Sequence, residues 1–229
     1  MSRSLNRATE QFVGFAVAAT SINGESQMIR RLLFAAVILF IPIAASVSAQ
    51  ELRDRELKPA FDFTTIQMPV EIVSIKLNGR DVAPGEKIKG DDDWLQGLSF
   101  TVRNISEKPI AYVAISLRFE QPRRIVGFTL SYGVDYSRGE PRSGSSPLPI
   151  QPNQTVDLTL TKERYPNFLQ ILKLGEMPRS FDVVPYLVER ISFEDDPNII
   201  WEGGYLKRQN PAFIGKFDVI ERYKLPTKL

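Results

Sequence analysis

The strongest constraint on this chain is a pair of alternating stretches at Leu98–Phe119, LSFTVRNISEKPIAYVAISLRF. Leu98, Phe100 and Val102 alternate with Ser99, Thr101 and Arg103. After a polar break at Asn104–Pro109, the residues Ala111, Val113, Ile115, Leu117 and Phe119 form a second row. A period of two gives a strand one face to bury and one to leave wet. Nothing else in the chain has so long a matched pair, which predicts a hairpin at the centre of an all-β core.

The remaining signals agree with that class. In Val70–Leu77 the apolar phase changes, Val70 and Ile72 on one face and Val73, Ile75 and Leu77 on the other, which predicts a β-bulge or a strand buried on both sides. Asn78-Gly79 then signals a tight turn. Phe128, Leu130 and Tyr132 alternate, as do Val156, Leu158 and Leu160. Strands are expected over Phe181–Phe193 and Ile199–Leu206, joined through Asp195-Asp196-Pro197-Asn198, with Pro185 placing the first at an edge or a break. One helix is expected at Pro166–Leu174, with Pro166 in its first turn, Gly175 at its stop, and a role as a lid over an open end of the sheets. These elements predict an Ig-like antiparallel β-sandwich of about seven or eight strands with one short helix. The sandwich is expected over residues 68–208, after a linker at 50–67 and before a tail at 209–229 that packs on it.

Residues 28–49, MIRRLLFAAVILFIPIAASVSA, follow the secretory signal pattern. Arg30 and Arg31 form the basic start, Leu32 to Ala45 the apolar run, and Val47-Ser48-Ala49 the cleavage positions. The alternative is an uncleaved N-terminal anchor, although the run is short of the ~20 residues that span a bilayer. Translation is expected to begin at Met28, leaving residues 1–27 outside the product, and the mature chain is expected to be secreted or periplasmic, starting near Gln50. The membrane is then involved only through the signal segment, if it stays uncleaved.

Charge and missing residue types narrow the chemistry. Four of the 29 basic and two of the 27 acidic side chains lie in residues 1–49, leaving 25 of each in residues 50–229. A neutral mature portion has no general attraction for phosphate backbones, so nucleic acid is not an expected partner. The chain has no Cys and no His. That excludes a disulfide, a thiolate nucleophile, an imidazole zinc ligand and a Ser-His-Asp triad. No cofactor is expected.

The stretch Phe100–Phe119 resembles a pattern in small bacterial extracytoplasmic Ig-like β-sandwiches of the FxLYD and water-stress (WHy, late-embryogenesis-like) kinds. In these a strand ends near Asn, a Ser/Pro turn follows, and a strand of alternating aliphatics leads to an aromatic. The resemblance covers some twenty residues. It implies an Ig-like fold and carries no catalytic residue with it.

Several residues are candidates for a site. Asp91, Asp92 and Asp93, joined by Glu194, Asp195 and Asp196, offer oxygen ligands for a hard cation, but lack EF-hand spacing and read first as solvated turns. Trp94 and Trp201, with Tyr132, Tyr136 and Tyr205, offer a flat aromatic platform for a sugar, or else the tryptophans of a sandwich core. The stretch Gly133–Pro152 has no apolar period and reads as a long exposed loop, with Tyr136, Arg138 and Arg142 as its contact residues. Asn104-Ile105-Ser106 and Asn153-Gln154-Thr155 match the glycosylation acceptor pattern. Carboxylates are too common here for a catalytic pair to be singled out, and no S-x-x-K motif is present. The leading expectation is an exported, non-catalytic domain that binds an envelope or extracellular protein. A carbohydrate-binding module is the alternative, and a small glycan-active enzyme comes third.

Overall fold

The computed structural model describes residues 52–62, 65–135, 146–210, 212–213 and 216–225. The signal segment at 28–49, the upstream residues 1–27 and the loop residues Tyr136, Arg138 and Arg142 lie outside them. Among the described residues the chain is all-β with one short helix, arranged as two sheets around a shared core.

In chain order the strands are β1 (Arg53–Pro59), β2 (Val70–Leu77), β3 (Arg80–Asp81), β4 (Lys87–Gly90), β5 (Ser99–Asn104) and β6 (Ile110–Gln121). They continue as β7 (Arg124–Gly133), β8 (Thr155–Thr159), β9 (Val183–Phe193), β10 (Ile199–Glu202), β11 (Tyr205–Gln209) and β12 (Phe217–Arg222). The helix α1 (Tyr165–Leu174) falls between β8 and β9. The smaller sheet runs β3-β2-β5-β8, and the remaining eight strands form the larger one. In it β9 is the hub. β6 and then β7 lie along one edge of β9, while β1 and β10 share the other edge at different heights. The described strands therefore exceed the seven or eight expected, and the β1–β9 pair is parallel where an antiparallel sandwich was expected.

The hairpin expected at Leu98–Phe119 is an arch instead. β5 pairs with β2 and β8, β6 pairs with β7 and β9, and the two strands do not pair with each other. Both arrangements turn one alternating face inward, so periodicity cannot separate them. The crossing is fixed by Asn104, which is 0% exposed. Its Nδ2 donates to the carbonyls of Lys108 and Ile150, both at 2.8 Å, while its Oδ1 accepts from the Ser106 amide and hydroxyl. Asn104 is thus consumed by the turn and unavailable as a glycosylation acceptor in the folded chain.

The phase change in β2 is a bulge: the β2–β5 register shifts between Ile72 and Ser74, leaving Val73 49% exposed. The expected linker at 50–67 instead contains β1, hydrogen-bonded to β4 and β9. Its charges hid it, because its inward residues are Leu57 and a wholly buried Arg55. Arg55 donates to the carbonyls of Gly90 and Phe181 and pairs with Asp92 at 3.0 Å and Asp182 at 2.7 Å. The expected single strand Ile199–Leu206 is the β10–β11 hairpin, folded at Gly203 and Gly204, whose φ values of 60° and 92° lie in the left-handed region that favours glycine. Pro185 lies inside the larger sheet, paired on its β1 side with Lys58, just beyond the last β6 partner Tyr186. A missing N–H is tolerated there because β6 has already left that edge.

The helix closes one end of the core. Phe168 meets Phe119, Phe128 and Tyr165 at ring-centroid distances of 5.4, 5.1 and 5.4 Å. Between the sheets, Phe100 of β5 meets Tyr186 of β9 at 5.1 Å. At the C-terminal end, β12 pairs with β11, Tyr223 is buried, and the Leu225 amide donates to Gln67 Oε1.

Candidate binding sites

The tryptophans form no platform. Trp94 is 4% exposed and donates from Nε1 to the Phe181 carbonyl at 3.0 Å; Trp201 is 1% exposed and donates to the Gln67 carbonyl at 3.1 Å. Both rings are in the core with their N–H groups satisfied, which leaves Tyr205 exposed and Tyr132 half-buried with its hydroxyl on the Leu148 carbonyl. This is the ordinary fate of Trp in a two-sheet core.

The three aspartates are tied into the fold. Asp91 Oδ1 accepts from the Asp93 amide, Asp92 pairs with Arg55, and Asp93 pairs with Arg179 and accepts from the Tyr165 hydroxyl. The Asp92 carboxyl is held below its ordinary value, first by the neighbouring Ser180 hydroxyl and then by the Arg55 guanidinium. Asp93 acts in the other direction on its partner: burial first, then the Asp93 charge, push the Tyr165 phenol up. Among the described residues no group of three or more acidic side chains is placed to hold a metal. Asp195 is engaged by Lys108 at 3.0 Å.

Of the stretch expected as an exposed loop, residues 136–145 lie outside the described residues, and its ends are tied into the fold. Asp135 is buried and pairs with Arg190, and Ile150 is buried in a bridge to Ile110.

Two concavities were not visible in the sequence. The larger is a groove of about 980 Å³ at one side of the molecule, where the two sheets part. β3 pairs with β2 only at Lys76 and Leu77, and the Val82 amide then reaches the Ile75 carbonyl. Below that point, along Val70–Ser74, this edge of β2 has no strand partner among the described residues. The walls are mostly apolar: Met68, Ile72, Val73, Val82 and Tyr186, with Leu225 held beside them by Gln67. An unpaired strand edge beside an apolar wall can receive an extended chain, whose alternate side chains enter the groove. The bulge at Ile72–Ser74 interrupts the edge, so the apolar wall has to supply most of the contact.

The smaller concavity is a polar hollow of about 250 Å³ on the outer face of the larger sheet. Val113, Ile115 and Leu117 of β6 enter the core, which leaves Tyr112 and Ala114 facing outward. Ala114 lies between Ser131 of β7 and Arg190 of β9 in the ladder. In β9 the register shifts between the partners of Ala114 and Ile115, and both Glu189 and Arg190 line the hollow. Arg190 lies 3.4 Å from Asp135 and 3.9 Å from Glu202, and Glu189 accepts from the Thr129 hydroxyl at 3.3 Å.

Compared with protein-family models, curated proteins and solved structures, the chain finds no match in any of the three.

Proposed function

We propose that the chain is an exported, non-catalytic Ig-like domain whose side groove holds an extended apolar segment of an envelope or extracellular protein. The observation that carries this reading is the groove itself, an unpaired stretch of β2 beside a mostly apolar wall. Its size falls near the upper end of the ~300–1,000 Å³ typical of ligand pockets. Its open, elongated setting along a strand suits a polypeptide better than a compact metabolite. The Ig-like assignment rests on the two-sheet core and on the Phe100–Phe119 pattern. Export rests on the signal pattern at 28–49.

The test is affinity capture from the host's envelope fraction with the protein expressed from its full-length reading frame. Val73→Lys and Ala83→Arg alter exposed groove positions, so the fold is expected to survive both. One or more proteins should be retained by the unaltered chain and lost with either variant. Retention unchanged in both variants would rule out the groove as the binding surface. Mass analysis of the exported product should find its amino terminus near Gln50, and peptides from residues 1–27 would overturn the export assignment as stated.

A further inference from the structure

We propose that the polar hollow on the outer face of the larger sheet is a second site, which takes a single hexosamine ring with its ammonium group on Glu189. The wall is made by an irregularity in the sheet. Along a regular strand, consecutive side chains point to opposite faces. The register shift in β9 lets Glu189 and Arg190 line the same hollow. Bulges of this kind re-aim side chains at functional positions. The hollow has depth because Ala114 stands where an outward strand position commonly carries a long side chain.

The lining chemistry selects the ligand. Thr129, Ser131 and Tyr112 bring hydroxyls, Asp135 and Glu189 bring carboxylates, and Arg190 brings one guanidinium. Such convergence of donors and acceptors matches a polyhydroxylated ring. About 250 Å³ is below the range for drug-sized ligands, which limits the occupant to one ring. Charge decides between sugars. Arg190 is already set between Asp135 and Glu202, whereas Glu189 meets no cation among the described residues and accepts only the Thr129 hydroxyl. A carboxylate with acceptor capacity to spare prefers an ammonium to a neutral hydroxyl.

Calorimetric titration of the full-length expressed protein with glucosamine and, separately, with glucose tests the proposal. Glucosamine should bind about tenfold more tightly than glucose, and Glu189→Gln should erase that difference. Ala114→Leu should fill the hollow and remove binding of both sugars. Circular dichroism melts confirm that each variant is folded, and Glu189→Gln alone decides the matter if Ala114→Leu does not fold. Absence of glucosamine binding, or binding indifferent to Glu189→Gln, overturns the proposal.

Discussion

Asn104 shows how much one buried amide can decide. Its two donors and its acceptor oxygen are all used within the arch, on carbonyls from both sides of the crossing and on Ser106. Asn104→Asp replaces the donating end with a carboxylate that faces the Lys108 and Ile150 carbonyls in a site without solvent. A destabilisation of about 3 kcal/mol or more is expected, read as a lower urea midpoint at unchanged slope. Asn104→Ala, which leaves the same carbonyls unpaired without burying a charge, should cost less. The residue was legible as a turn former, because Asn, Ser and Pro cluster there. Its role as the switch between sheets was not, since that depends on where Ile150 lies, 46 positions later. Asp92 behaves differently, being half-exposed and paired with a buried cation. Its folded pKa lies below the unfolded value of about 3.9, so its contribution is complete above that value and is lost as pH falls through the folded pKa. Asp92→Asn should therefore lower the melting midpoint at neutral pH, and the gap from the unaltered chain should close on acidification below about pH 4. A gap that stays constant down to pH 2 would show that the Arg55 pair does not titrate in this way.

At the scale of elements, legibility followed the side chains that face the core. The bulge in β2 was readable because apolar residues changed phase, and the helix because Phe168 and Leu172 recur at its period beside Pro166 and Gly175. β1 escaped notice because its inward row is Arg55 and Leu57, so a strand wore the composition of a linker. The β10–β11 turn escaped because Ile199–Leu206 carries apolar residues on both sides of its two glycines. Helix docking gives a sharp test. A Cβ added at Gly175 would stand 2.4 Å from Val126 Cγ2, and a β-branched side chain on a strand has little freedom to move aside. Gly175→Ala should destabilise the protein by about 1–3 kcal/mol. In the Val126→Ala background the same change should be nearly neutral, a coupling that a double-mutant cycle measures directly. Equal effects in both backgrounds would mean that the helix end relaxes away from β7.

For the whole molecule, neither concavity could be read from the chain in order. The groove gathers residues from before β2, after β3, β9 and the C-terminal segment, and the hollow depends on a register shift between β6 and β9. Periodicity reports which residues face inward; it carries no information on where two sheets part. The same dependence on distant segments makes the first strand indispensable. Among the described residues β1 is the one partner of β4, and it is also the parallel neighbour of β9 over Val183–Tyr186 and the source of Arg55, which joins Gly90, Asp92, Phe181 and Asp182. A chain that begins at residue 60 loses Leu57 from the core, strands β4 without a pair, and frees an edge of β9 for association. Such a chain should show no cooperative thermal transition, whereas Arg55→Met, which keeps the strand and removes only its charge, should melt cooperatively at a lower temperature. A sigmoidal melt from the truncated chain would demote β1 to an accessory strand. It would also mean that the core supplied by β2, β5, β6 and β9 closes without its parallel pair.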